Sequence, residues 1–131
     1  MKNFLAVICG IIVQAIACVL IYIVFSFLGQ VPIIASLLSW PVDYEVYAWI
    51  GTYSFSILAG AFICNLIGKT NSKGKKPSVI AYGIISLLYH AFCMISNCFL
   101  MPVEGVSLLA YIFAIGCCVL VTSAGFSGED I

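Results

Sequence analysis

The chain reads as an all-α, polytopic membrane protein with four transmembrane helices, on three grounds. Of its 131 residues, 64% are hydrophobic and 8% charged, whereas soluble domains carry roughly a quarter charged residues. A soluble fold of this length buries only about two thirds of its surface, so much of the apolar excess would face water. Second, four stretches long enough to cross about 30 Å of hydrocarbon, roughly 20 residues each, contain no Asp, Glu, Lys or Arg. Third, four of the five lysines fall in one connector, the asymmetry that orients spans in a bilayer. Disorder is excluded because disordered chains are poor in apolar residues and rich in charge. A net charge of zero and the lack of arginine exclude nucleic acid as a direct partner.

The first span covers residues 4–28. Its apolar run outlasts the 7–15 residues or so of a signal-peptide core, so it reads as a permanent helix. The connector at 29–45 is long and mostly apolar, and it holds Pro32 and Pro41. The segment between these prolines is too short to cross. It reads as a short interfacial or re-entrant helix, pinned at the headgroups by Trp40, Tyr44, Tyr47 and Trp49. It is either a lipid-lying loop with an aromatic belt, or a lid or docking surface. The second span covers 46–67, the third 79–101 and the fourth 105–124. Met101-Pro-Val-Glu-Gly105 reads as a tight turn that makes the last two spans antiparallel neighbours. In lipid every backbone polar group must be paired within the protein, and these stretches are too long and evenly apolar for barrel strands.

Orientation follows from the lysines. Lys69, Lys73, Lys75 and Lys76 lie in the connector between spans two and three, and the fifth is Lys2. Asp43, Glu45 and Glu104 occupy the other connectors. With both termini and the lysine connector inside, every basic residue is cytoplasmic. The expectation is one domain over 1–131, N-in and C-in, multi-pass in the cell (inner) membrane.

Helices in lipid associate through small residues that let backbones approach. Spacing of four is continuous in the second span at Thr52, Ser56, Gly60, Cys64 and Gly68, the ridge expected at a helix contact within the bundle or between subunits. Weaker ridges are Ala6, Gly10, Gln14 and Cys18 in the first span, and Ala110, Ala114, Cys118 and Thr122 in the fourth. The third span carries a polar stripe. At about 100° per residue, Tyr82, Ser86, His90, Cys93 and Asn97 share one face. Polar side chains at that depth turn toward the bundle or a cavity. They either hydrogen-bond between helices, line a pore in which His90 responds to pH, or hold a ligand. Haem with two histidine ligands would need two chains, since His90 is the one histidine. Gln14 lies at mid-span, a depth from which it can reach this stripe.

Several chemistries lack their residues. Seven cysteines lie inside spans with no CxxC pair, so they read as small packing residues. Gly68-Lys69-Thr70 looks like the end of a P-loop, but Ile63 stands where that motif needs glycine. No carboxylate lies within a span to carry a proton or sodium ion. No paired carboxylates, catalytic triad or metal cluster is visible, so an enzyme is not expected, and neither is a cofactor. The lysine connector can bind anionic headgroups or an acidic patch on a cytosolic protein.

This layout of four short spans, a basic hairpin and little mass outside lipid resembles small bacterial membrane proteins that work in phage exclusion or toxin immunity. The first expectation is a non-enzymatic, self-associating membrane subunit that senses membrane change or anchors a cytosolic partner. The alternatives are an oligomeric channel lined by the third-span stripe and an immunity protein against a pore-forming toxin.

Overall fold

The computed structural model describes residues 2–37, 44–68, 74–96 and 108–127. All the regular structure among them is helical: α1 (Lys2–Leu28), α2 (Pro32–Leu37), α3 (Tyr44–Ile67), α4 (Pro77–Ile95) and α5 (Leu108–Ser127). Four of these described helices, all but α2, are long and apolar enough to cross a membrane. They overlap the four expected spans, with α3 and α4 each starting two residues earlier than expected and α5 running three residues further. The six-residue α2 falls within the proline-bounded connector. The turn expected at 101–105 and the stretch 69–73 lie outside the described residues.

Local chemistry accounts for the helix ends. Gly74 takes φ +77°, a left-handed conformation that costs glycine nothing and other residues a steric clash. Pro77 then stands in the first turn of α4, where its missing N–H has no intrahelical partner to lose. At the close of α3 the Gly68 amide donates to the Cys64 carbonyl at 2.9 Å, and the Gly29 amide does the same to Phe25 after α1.

Neighbouring residues fix the topology. Gly10 meets Gly60, and Tyr22 meets Trp49, so α1 and α3 run antiparallel. Gly83 meets Thr122, and Gly125 meets Ile80, so α4 and α5 also run antiparallel. The Lys76 amide ties this second pair by donating to the Gly125 carbonyl at 2.9 Å. The broad contacts are α1 on α3, α4 on α5, and α3 on α5, while α1 and α4 touch more sparingly. The bundle therefore has three firm edges and a loose one between α1 and α4.

Small residues make the firm edges possible. The core cluster holds Ala6, Ala61, Cys64, Ala114 and Cys118 around Tyr82, Ile57, Val79 and Val121. A methyl group built on Gly60 would lie 2.6 Å from the Gly10 carbonyl and would collide with the Tyr82 hydroxyl. Backbone therefore faces backbone, the close approach that lipid-embedded helices use in place of a hydrophobic driving force. Large apolar side chains instead point outward: Phe4, Phe27, Leu88, Phe92 and Leu120 are all more than 60% exposed. A water-soluble fold would place them the other way round.

Candidate functional site

The α3 ridge faces the bundle. Thr52, Ser56, Gly60 and Cys64 are buried and Gly68 is half-buried. Its hydroxyls fold back on their own helix, Thr52 donating to the Ala48 carbonyl at 2.6 Å and Ser56 to the Tyr53 carbonyl at 2.9 Å. This pairs them locally and leaves carbon surface for the neighbouring helix.

The α4 stripe also turns inward. Tyr82, Ser86 and His90 are buried and Cys93 is half-buried, while Asn97 lies outside the described residues. Gln14 of α1 is the residue they meet. Its Oε1 accepts the Tyr82 hydroxyl at 2.7 Å and the Ser86 hydroxyl at 3.1 Å. The Tyr82 hydroxyl also lies 3.0 Å from the Ile57 carbonyl, which links α1, α3 and α4 at one point. Such bonds are worth about 1 kcal/mol each between membrane helices.

Beyond this junction the bundle opens. A cavity of about 350 Å³ lies between α1, α3 and α4, its floor made by Gln14, Ser56, Ser86, His90 and Tyr53. Ile11, Ala15, Cys18, Ile85 and Tyr89 complete its wall, and all of these but Cys18 are exposed. The mouth is thus the loose edge between α1 and α4. Among the described residues, no Lys, Arg, Asp or Glu lines it.

An aromatic network stiffens the cavity wall. Tyr53 stacks on Tyr111 with centroids 5.5 Å apart and meets the edge of His90 at 5.6 Å. Trp49 bridges Tyr53 at 5.4 Å and Tyr22 at 5.0 Å, and Tyr89 stands edge-on to His90 at 5.2 Å. One ring system thereby joins α1, α3, α4 and α5. Tyr53 is its hub, and sequence reasoning missed it because a tyrosine in an apolar span gives no periodic signal of its own. His90 Nδ1 lies 2.8 Å from the Ser86 carbonyl. A carbonyl only accepts, so Nδ1 carries the proton and donates.

The other singled-out residues are dispersed. Tyr44 is half-buried and its hydroxyl donates to the Phe25 carbonyl at 2.5 Å, fastening the start of α3 to the end of α1. Tyr47 and Trp49 are half-buried, and Trp40 lies outside the described residues. Of the lysines, Lys75 is exposed with Nζ 5.4 Å from the Phe126 ring centre, and Lys76 is buried. Lys69 and Lys73 lie outside the described residues. No group of three or more His, Cys, Asp or Glu among the described residues is placed to hold a metal ion.

Fold and site together define a helix-bundle membrane protein whose four long helices suit a multi-pass chain. No family model matches the chain, and no curated protein or solved structure matches it either.

Proposed function

We infer that the chain is a non-enzymatic, multi-pass protein of the cell (inner) membrane that senses a change in the lipid phase and relays it to a cytosolic partner. Both termini and the lysine connector lie on the cytoplasmic side, because that arrangement alone puts all five basic residues there. The short helix α2 lies in the opposite interface, with none of its residues buried in the bundle.

One observation carries the sensor reading. The polar groups of α1, α3 and α4 collect at a cavity within a single chain, and that cavity opens sideways between α1 and α4. In a spanning bundle that side faces lipid, so whatever occupies the cavity enters from the membrane. Occupation would bear on the loosest edge of the fold, and α4 joins that edge to the lysine connector. Self-association would use the apolar outer face of α5, where Gly116 has open space around it.

Crosslinking from a reagent placed at residue 71 is the direct test. Capture of one soluble protein, abolished by Lys69→Gln with Lys73→Gln, is expected. Ion flux through liposomes that carry the purified protein, lost on His90→Ala, would replace this reading with the oligomeric channel.

A further inference from the structure

The cavity between α1, α3 and α4 presents a defined set of hydrogen-bonding groups. Gln14 Oε1 is already taken by the hydroxyls of Tyr82 and Ser86, so its amide N–H groups remain, and they meet no acceptor among the described residues. His90 commits Nδ1–H to the Ser86 carbonyl, so the lone pair of Nε2 remains, and it too meets no donor among them. Both side chains line the cavity. The cavity therefore offers the Gln14 amide N–H groups as donors and the His90 Nε2 lone pair as an acceptor, beside the hydroxyls of Tyr53 and Tyr89 that also line it.

Three features narrow the occupant. A group that both gives and takes a hydrogen bond, such as a hydroxyl, satisfies amide and imidazole together, whereas an ether or ketone satisfies only the amide. No Asp, Glu, Lys or Arg among the described residues lines the site, and a charge brought there without a counterion costs several kcal/mol or more. The mouth is framed by Ile11, Ala15, Ile85 and Tyr89, three of them aliphatic, so the part of the occupant leaving it is largely apolar. About 350 Å³ falls within the usual span of small-ligand sites, roughly 300–1,000 Å³. This holds a polar head and the first part of a chain, and the rest lies in the bilayer.

We propose that this cavity is a binding site for an uncharged, single-chain lipid with a hydroxyl head, entered laterally between α1 and α4, with Gln14 donating to the head oxygen and His90 accepting its proton. The proposal deepens the sensor reading and rests on it only for the consequence of binding. A protein that fails to recruit a cytosolic partner but still takes up the lipid overturns the relay and leaves the site. The reverse result removes this ligand and leaves the relay.

The test uses the full chain in phosphatidylcholine nanodiscs with a monoacylglycerol that carries a photoreactive diazirine in its acyl chain. Label should fall on peptides containing residues 11–18 and 85–90 and be displaced by excess monooleoylglycerol. It should drop at least five-fold in Ile85→Trp, which plugs the mouth from an exposed position, and in His90→Phe, which removes the acceptor. An excess of an alkyl sulfonate of the same chain length should leave the label undiminished. Thermal unfolding by circular dichroism reports folding. If His90→Phe does not fold, Ile85→Trp and the sulfonate decide alone. Label spread evenly over the outer face of α5, full labelling in Ile85→Trp, equal competition by the sulfonate, or a crosslinked second copy in the crevice would each overturn the proposal.

Discussion

Toward the connector at 68–77 the helices meet through glycines and hydroxyls: Gly10 lies on Gly60, Gly68 beside Ser78, Gly83 against Thr122 and Gly125 against Ile80. Toward the other end the partners are rings. Tyr22, Trp49, Tyr53, Tyr111 and His90 form the contacts, and even a glycine there, Gly51, receives the ring of Phe25 rather than a backbone. Backbone-to-backbone packing leaves no space, whereas flat rings bridge wider gaps and fill them incompletely. The cavity lies where one kind of packing gives way to the other, bounded by the Gln14 junction on one side and Tyr53 on the other. A membrane helix bundle can thus be rigid and hollow within the same four helices.

Substitutions can break or sharpen this contrast, and the largest effect belongs to the close-packed end. Gly60→Leu has to displace α1, because besides the Tyr82 hydroxyl the added carbon meets the Gly10 carbonyl at 2.6 Å, which is backbone and does not rotate away. A loss of about 3 kcal/mol is expected, read as a lower melting temperature in detergent by circular dichroism. An unchanged melt would show that α1 and α3 are not held by backbone contact.

Tyr82→Phe acts at the boundary between the two regimes. It keeps the ring and removes a hydroxyl shared by the Gln14 amide oxygen and the Ile57 carbonyl. The expected cost is about 1 kcal/mol, measured by the same melt. Because Ser86 still holds Gln14, the double change Tyr82→Phe with Ser86→Ala should cost more than the sum of the two single ones.

The control sits outside both regimes. Nothing lies within 4 Å of a methyl group built on Gly116, so Gly116→Ala should stabilise the monomer by about 0.5–1 kcal/mol through helix propensity alone. If crosslinked oligomers disappear at the same time, the α5 face is where two chains meet. The smallest effect is expected at Lys75, whose ammonium group lies 5.4 Å from the Phe126 ring centre at an exposed position. Lys75→Gln should cost about 0.5 kcal/mol, the low end for such contacts, and should leave the melting temperature almost unmoved.

Spacing alone made much of the interior readable. Residues four apart share a helix face, and in lipid the face with the small side chains is the one that packs. Thr52, Ser56, Gly60 and Cys64 therefore turned inward together, as did Tyr82, Ser86 and His90. The aromatic network was not readable, because Tyr22, Trp49, Tyr53 and Tyr111 belong to three helices and share no period. Tyr44 illustrates the same limit. Its position at the start of a span reads as a headgroup anchor, and no spacing announces the bond from its hydroxyl to the Phe25 carbonyl, a partner nineteen positions away in the chain.

The sequence by itself determined that four helices are long and apolar enough to cross a membrane, roughly where they lie and the inward face of most of them, since these depend on apolar content and on a period of 3.6 residues. Only the tertiary structure decided which helices pair closely, that α1 and α4 part, and that Gln14, Ser86 and His90 surround one cavity. Helices of similar hydrophobicity gain little by choosing one neighbour over another in lipid. The choice therefore falls to the fit of individual side chains across the gap, a property of pairs of surfaces that no single stretch of chain contains.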